Sequence, residues 1–330
     1  MSPDTMNSGK SITAPKASAF SMLGKVPEEA GLLVILIGIS AVLTALSPFF
    51  LTLPNVVNVL MTMSVIGIVS IGMTYVMLSG GIDLSVGSTM GLAAVVAANF
   101  AKGGSPVAVV ILVGLGIGLV IGLVNGLAIT KLRVPPLIAT LAMLSVAKGV
   151  QLIYSRGVTV FDLGDAVGWL GRGSIGPIPV PIILLLLLYV LASFSLSRTS
   201  FGRKVYAVGG NERAARIVGI RVERIKIAVY VLSGMLASFG GLILISRLDS
   251  APTVIGTGLE LDTIAAVVIG GTSLTGGKGG VWGTLIGVAI LALIQNALNL
   301  LNVSPYFTQL VQGLVIFTAV AIDMNRRRRR

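Results

Sequence analysis

Residues 56–78 read VVNVLMTMSVIGIVSIGMTYVML and contain no charged side chain. A helix needs about 20 mostly apolar residues to cross the roughly 30 Å hydrocarbon core of a bilayer. Residues 32–46, 107–129 and 182–196 also lack charge. Only 11% of the 330 residues are charged and 55% are hydrophobic, whereas soluble domains carry about 25% charged residues. The sequence therefore predicts an all-α, polytopic integral membrane protein.

The apolar pattern outlines ten spans, and the eighth is short. They cover about residues 30–50, 55–79, 84–101, 106–130, 135–154, 181–197, 226–246, 259–271, 281–301 and 305–324. Charged residues precede the eighth span and a glycine cluster follows it, so it could be a half-helix. We therefore expect eight to ten true crossings. We also expect a single transmembrane domain over residues 30–324, between a cytoplasmic tail at 1–29 and a basic tail at 325–330.

The basic residues predict the orientation. Assigning loops alternately from a cytoplasmic N-terminus places nineteen of the 24 basic residues inside and four outside. Basic loops stay in the cytoplasm, so we expect both termini to face inward. The five arginines at 326–330 then act as a topology anchor, with binding to anionic lipid as an alternative. This distribution does not favour a nucleic-acid partner despite the net charge of +12.

The composition also excludes several kinds of chemistry. The chain has no Cys and no His, which removes thiol nucleophiles, Cys/His metal sites and the usual general base of hydrolases. The motif G-x-x-x-x-G-K-S/T is absent, so ATP binding through a P-loop is not expected. We predict no catalytic residue, no metal site and no cofactor in this chain.

The charged segment 198–226 is the first candidate for function. Residues 209–216 read GGNERAAR, which predicts a glycine turn, an Asn cap and a short helix that Gly219 ends. An ordinary positive-inside loop would explain the charge. The small residues Ala207, Ala214 and Ala215 would instead let the helix press against a partner, so a protein-docking surface is the other interpretation.

Glycine-rich stretches supply further candidates. Residues 80–87 and 270–277 each lie between two spans at an offset of 190, which indicates an internal duplication unless the likeness is coincidental. Asp83 could cap the next helix or pair with a basic residue. Residues 270–283 could form a gate or a packing corner. Glycines at 114, 118, 122 and 126 favour tight helix packing over a subunit interface or a pore lining.

The expected outer face carries charges in two places. The long loop at 154–181 holds Arg156, Asp162 and Arg172, and a second cluster includes Arg247 and Glu260. These side chains could form a solvated rim or a landing surface for a soluble partner.

Four runs of sequence carry a family resemblance. They are LSPFF at 46–50, LSGGIDLSVGS at 78–88, GRKVYAVGGNE at 202–212 and GGTSLTGGKG at 270–279. With them the chain resembles the permeases of bacterial ABC monosaccharide importers, in particular the ribose type. The branched-chain amino-acid permeases are similar in general plan. The resemblance covers residues 30–324 and leaves the tails without a counterpart.

The resemblance implies a multi-pass protein of the bacterial inner membrane that is in contact with lipid. It implies a homodimer with a second permease copy, a cytoplasmic ABC ATPase that binds ATP and Mg²⁺, and a periplasmic sugar-binding protein. The ATPase-coupling residues would be Arg203, Tyr206, Ala207, Gly209, Gly210, Asn211, Glu212, Ala214, Arg216 and Gly219. The structural or gate loops would contain Gly80, Gly81, Asp83, Ser85, Gly270, Gly271, Gly276 and Lys278.

Polar side chains within the spans are the candidates for a sugar pathway. The four chosen are Ser64, Thr74, Asn125 and Asn296; Ser70, Thr140, Gln295 and Asn299 share the same character. An amino-acid ABC permease, an ion-coupled secondary transporter and a membrane enzyme are the alternatives. The spans offer almost no paired acids for the second of these, and the missing His and Cys disfavour the third.

Overall fold

The computed structural model describes residues 28–304 and residues 307, 310, 313, 314 and 317. Within them the chain forms twelve helices and four two-residue strands. The helices are α1 (Glu28–Leu46), α2 (Leu53–Leu78), α3 (Val86–Lys102), α4 (Val107–Thr130), α5 (Pro136–Ser155), α6 (Asp165–Arg172), α7 (Val180–Arg198), α8 (Ser200–Gly210), α9 (Glu212–Ile217), α10 (Val222–Leu248), α11 (Leu259–Ile269) and α12 (Val281–Leu300). The strands are β1 (Val160–Phe161), β2 (Ser174–Ile175), β3 (Ile178–Pro179) and β4 (Ser250–Ala251).

The helices confirm the predicted all-α membrane architecture. Six of them, α2, α4, α5, α7, α10 and α12, are long and apolar enough to cross a bilayer. The apolar parts of α1 and α3 are shorter. With eleven residues, α11 is about 16 Å long and spans only half of the hydrocarbon core. The eighth predicted span is therefore a half-helix.

The predicted boundaries agree with the helices to within four residues; the largest differences are the end of α1 at Leu46, predicted at 50, and the start of α10 at Val222, predicted at 226. The first helix begins at Glu28, two residues before the predicted start of the transmembrane domain. The tenth span at 305–324 lies outside the described residues apart from five isolated positions. The predictions for residues 1–27 and for the basic tail at 325–330 lie wholly outside them.

Two long helices, α2 and α10, form the centre of the bundle. In each of these helices, 61% of the residues in an apolar stretch of 18 are buried. Along α4, the glycines at the predicted four-residue spacing face α10: a methyl group on Gly118 or Gly122 would overlap a backbone carbonyl of Gly234 or Tyr230. This contact confirms tight packing of α4 on α10 and leaves these glycines with no pore-lining role.

The bundle has two distinct ends, because α10 is about 40 Å long and carries different elements at each terminus. The α9 end comprises α8, α9 and the nearby turn between α4 and α5. The α6 end comprises α6, the β2–β3 hairpin and the antiparallel pair of β1 with β4, in which Val160 lies opposite Ala251. The α9 end gathers the segments that are predicted to be cytoplasmic.

The two glycine-rich turns share one backbone design. Gly80 follows α2 with a φ of 82°, and Gly271 follows α11 with a φ of 84°. In each turn the next amide closes the helix: the Gly81 N–H donates to Val76 and the Thr272 N–H donates to Val267. The matching residues are 191 apart, one more than the predicted offset. The internal duplication stays a prediction. The matching turns indicate that its repeat would be 191 residues long.

Candidate functional site

The charged segment folds into two short helices with a cap on each. Thr199 Oγ1 accepts a hydrogen bond from the Gly202 N–H at 3.2 Å and starts α8. Asn211 Oδ1 accepts one from the Ala214 N–H at 3.0 Å and starts α9. These bonds confirm the predicted Asn cap. The predicted turn at Gly209 and Gly210 is wrong, since both residues belong to the last turn of α8.

Ion pairs hold α9 against the start of α10. The Arg216 guanidinium lies between two carboxylates, 2.9 Å from Glu212 and 2.5 Å from Glu223. Lys226 Nζ contacts Glu212 at 2.6 Å. Partial burial raises the pKa of Glu212, but the hydrogen bonds and charges of Lys226 and Arg216 outweigh it and hold this pKa below its usual value. These charges therefore brace the segment internally, and Arg216 is less available to a partner than the sequence suggested.

Four other predicted coupling residues lie on an outward-facing surface. Arg203, Ala207, Gly210 and Ala214 are exposed on α8 and α9. At the C-terminal end of α9, Ile217 and Val218 are 85% and 74% exposed. Exposed aliphatic side chains beside exposed small residues at an end rich in charge are typical of a protein-binding surface. Sequence reasoning missed the two aliphatic residues, although their position in a charged segment was a usable signal.

The other face of α8 packs through backbone atoms on the turn after α2 and on the loop before α12. A methyl group on Gly209 would overlap the carbonyl oxygen of Leu78, and the same oxygen accepts a hydrogen bond of 3.0 Å from the Gly277 N–H. Gly276 lies against Gly209 and Gly80. We call Leu78, Gly80, Gly209, Gly276 and Gly277 the glycine junction. It joins the end of α2, the end of α8 and the loop before α12 with almost no side chain between them.

A tyrosine adds a side-chain bond to this junction. Tyr206 Oη donates to the carbonyl of Gly279 at 2.8 Å, which places a predicted coupling residue directly on the predicted gate loop. Lys278 is exposed beside it. In the same loop, Gly270 packs against Gly283 at the start of α12. The loop at 270–283 therefore forms a packing corner in this conformation.

Asp83 lies in a buried polar cluster between helices. Its carboxylate accepts hydrogen bonds from the Ser85 N–H at 3.0 Å, the Ser85 hydroxyl at 2.6 Å and the Ser233 hydroxyl at 2.9 Å. Asn125 in turn donates to the Ser85 hydroxyl at 2.8 Å. The carboxylate therefore closes a turn on the amide of Ser85, the residue before α3, and the predicted capping of the free N–H groups of α3 by Asp83 is not seen. Pairing with a basic residue is wrong, as no described cation forms an ion pair with Asp83.

The expected docking charges at the α6 end separate into two groups. Arg156, Asp162 and Arg172 are exposed, and Arg172 pairs with Asp249 at 3.4 Å. Arg247 instead donates to Asn58 Oδ1 on α2 at 2.6 Å. The Glu260 carboxylate lies against Gly87 on α3. The last two side chains therefore point into the bundle and not toward a partner.

A cavity of about 290 Å³ lies in the half of the bundle nearer the α6 end. Its polar lining comes from Thr62, Arg247, Thr257, Asp262 and Gln295. Apolar side chains of α2, α3, α10 and α11 complete the walls. Of the polar side chains considered as pathway candidates, Gln295 is the one that lines this cavity, and Arg247 was considered only as a docking charge. Thr62 and Thr257 carried no signal that separates them from other threonines.

The four predicted pathway residues do not line this cavity, and each has partners of its own. Ser64 donates to the carbonyl of Leu60. Thr74 bonds to Ser70 and to Thr284. Asn296 exchanges two hydrogen bonds with Asn55 at 2.7 and 3.1 Å, and Asn125 belongs to the Asp83 cluster. The bonds of Thr74, Asn125 and Asn296 link different segments of the bundle, whereas the bond of Ser64 stays within α2.

Comparison with known proteins gives a consistent result. The ribose import permease protein of Bacillus subtilis is 46% identical over 86% of this chain and 89% of its own length. The ribose import permease protein of Escherichia coli K12 is 44% identical over 89% of this chain and 93% of its own length. The L-arabinose ABC transporter permease protein of Azospirillum brasilense is 36% identical over 100% of this chain and 97% of its own length.

The family comparison covers most of the chain. Residues 55–320 match the family described as the branched-chain amino acid transport system / permease component. Comparison with the solved structures finds no significant match. The matched residues include α2 to α12, the glycine junction and the cavity. The chain therefore belongs to this family of transport-system permease components.

Proposed function

We propose that the chain is the transmembrane subunit of an ATP-driven ABC importer for a monosaccharide, namely ribose or a similar pentose or hexose. The observation that carries this proposal is the 46% identity to a ribose import permease over 86% of the chain. The arabinose permease at 36% identity over the whole chain extends the sugar class beyond ribose. The transmembrane architecture supports the same proposal.

ATP and Mg²⁺ would be bound by a separate cytoplasmic ATPase that docks at the α9 end. The exposed surface of α8 and α9 supports this assignment, because Ile217 and Val218 are 85% and 74% exposed beside the exposed Ala214. Burying such aliphatic side chains against a partner is favourable. The ion pairs of Glu212 and Arg216 give the docking surface a fixed shape, which lowers the entropy cost of binding.

The glycine junction supports transmission of movement from this surface into the membrane. Gly209 touches the Leu78 carbonyl, so α8 cannot move toward α2 without displacing it. The bond from Gly277 to the same carbonyl connects the loop before α12. Close-packed interfaces transmit strain because they are barely compressible. A displacement of α8 by the ATPase would therefore move the ends of α2 and α12 together.

A soluble sugar-binding protein would dock at the α6 end, which would face the periplasm. Exposed Arg156, Asp162 and Arg172 provide charges for steering an encounter. A second copy of the chain would complete the pathway as a homodimer in the bacterial inner membrane. Lipid would cover the remaining apolar helices, where for example Ile153 and Val34 are 79% and 70% exposed.

Reconstitution tests the proposal. The chain would be placed in proteoliposomes alone, or with the ATPase and the sugar-binding protein encoded beside it, and uptake of labelled D-ribose and L-arabinose would be followed with ATP at the ATPase side. We expect uptake only with both partners and ATP. Glu212→Ala should reduce it several-fold, because Arg216 and Lys226 lose a shared partner. Gly209→Arg should abolish it.

The description of the matched family favours one alternative substrate, a branched-chain amino acid. Labelled leucine in the same assay separates the two. Uptake of leucine without uptake of either sugar would replace the sugar proposal but keep the ATP-driven mechanism. Sugar uptake by the chain alone, driven by an ion gradient, would contradict the importer proposal as a whole.

A further inference from the structure

The cavity near the α6 end has the size and lining of a small-molecule site. Its volume of about 290 Å³ is close to the lower end of the range that is typical of ligand pockets, roughly 300–1,000 Å³. Such a space suits one small ligand and is too small for a long one. Val65, Met90 and Leu244, on three different helices, form apolar parts of the wall. The cavity is therefore already formed in this structure.

Hydrogen-bonding groups converge on the cavity from α11 and α12. Gln295 Nε2 donates to Asp262 Oδ2 at 3.3 Å, a long bond that leaves both groups able to bond elsewhere. An ionised carboxylate offers two acceptor oxygens with about four lone-pair positions, and a side-chain amide offers both donors and an acceptor. Together they match neighbouring hydroxyl groups on one ligand.

Arg247, at the end of α10, supplies further donors to the lining. Its guanidinium is held by Asn58 Oδ1 at 2.6 Å, which fixes its orientation and uses one of its five N–H groups. The cavity lining therefore carries one cation, Arg247, and one anion, Asp262. A ligand with a net charge would meet a like charge on one side, whereas a neutral polyhydroxylated ring would satisfy both groups and place its C–H faces against the apolar walls.

We propose that this cavity is a sugar-binding station on the transport pathway, in which Asp262 and Gln295 bind ring hydroxyl groups and Arg247 orients the ring. The proposal rests on the proposed function and adds a residue-level site to it. A pathway residue of this kind need bind only weakly, since the ligand must leave again. Asp262 and Gln295 would therefore set which sugars pass, in addition to whatever the sugar-binding protein selects.

Protection of a single cysteine tests the station directly. The chain has no native cysteine, so Thr62→Cys would place one thiol on the cavity wall and Ser174→Cys would place one on the exposed β2–β3 hairpin. Each variant would be assembled with both partners in proteoliposomes. The rate of modification by a small water-soluble thiol reagent would be measured with and without D-ribose, L-arabinose and leucine.

We expect saturating D-ribose or L-arabinose to slow modification at position 62 at least threefold, with no change at position 174. Adding Asp262→Asn should remove the protection at position 62 while the complex still assembles. Equal rates with and without sugar, in a complex that takes up sugar, would overturn the station but leave the proposed function intact. Protection by leucine alone would overturn the ligand class. A complex that takes up no monosaccharide would count against the proposed function itself.

Discussion

The glycine junction and the cavity are built in opposite ways. At the junction, Gly209, Gly277 and the Leu78 carbonyl meet through backbone atoms, and one added methyl group would overlap a neighbour. The cavity is lined by long side chains, among them Arg247, Asp262 and Gln295, around about 290 Å³ of space. A rigid contact suits the transmission of force, while an open polar space suits a ligand. The contrast assigns these two tasks to opposite halves of the bundle.

The largest effect should come from one methyl group at the junction. Gly209→Ala should lower the free energy of unfolding by about 3 kcal/mol, because overpacking against backbone forces a shift that side chains cannot absorb. It should also reduce sugar uptake at least tenfold. Thermal unfolding of the purified protein and uptake by the reconstituted complex measure the two.

Gly210→Ala is the matched control for this prediction. A Cβ atom on Gly210 would meet nothing within 4 Å, so stability should change by less than about 0.5 kcal/mol. Equal losses in the two variants would show that the last turn of α8 tolerates no alanine at all. The close contact with Leu78 would then have no special role.

The Asp83 cluster should respond next most strongly. Asp83→Ala leaves the hydroxyls of Ser85 and Ser233 and one amide without their acceptor, which should cost about 2 kcal/mol in stability. Asp83→Asn keeps an acceptor oxygen and should cost about half as much. Thermal unfolding of both variants tests this order. A loss from Asp83→Asn as large as that from Asp83→Ala would indicate that the negative charge itself is required.

An added carbon in the cavity should lower sugar uptake without lowering stability, whereas one at the junction should lower both. Val65→Leu extends into existing space, so stability should stay within about 0.5 kcal/mol of the parent protein. Sugar uptake should nevertheless fall several-fold, because the ligand loses volume. Val34→Leu, the same change at a 70% exposed position on α1, serves as the control and should change neither quantity. Unchanged uptake by Val65→Leu would remove the cavity from the pathway.

The smallest effect concerns the pH dependence of the α9 end. The pKa of Glu212 lies below its usual value of 4.5, so its contribution to stability is complete above that value and is lost as the pH falls through the lower, folded-state pKa. The difference in Tm between the parent protein and Glu212→Gln should be constant from about pH 7 to 5 and shrink below about 4.5. For a half-exposed pair, the corresponding difference in the free energy of unfolding should be less than about 1 kcal/mol. A difference that persists at pH 3 would contradict this assignment.

Sequence reasoning succeeded where the determining interactions are local. Span length follows from apolar runs, and the Asn211 cap depends on an amide three residues away. It failed where distant residues meet. The sequence predicts a turn at Gly209 and Gly210, whereas Gly209 lies in α8 and is required by its contact with Leu78.

The cavity shows the same limit. Asp262 and Gln295 are 33 residues apart and meet only because α11 packs on α12. Arg247 was expected on the outer rim, but its partner Asn58 lies 189 residues away on α2 and draws it inward. No local pattern distinguishes such an arginine from one that is exposed. The glycine turns could be recognised from sequence, but their common contact with α8 could not.

Spin-label distances within the assembled importer test the division of tasks most directly. One pair of labels, at Lys204 and Lys278, would report across the glycine junction; a second pair, at Val254 and Leu301, would report across the cavity. All four positions are exposed, and the chain has no native cysteine to interfere. We expect the junction distance to stay constant between the nucleotide-free and ATP-trapped states while the cavity distance changes. A junction distance that changes as much as the cavity distance would contradict the assignment of rigid coupling to the junction.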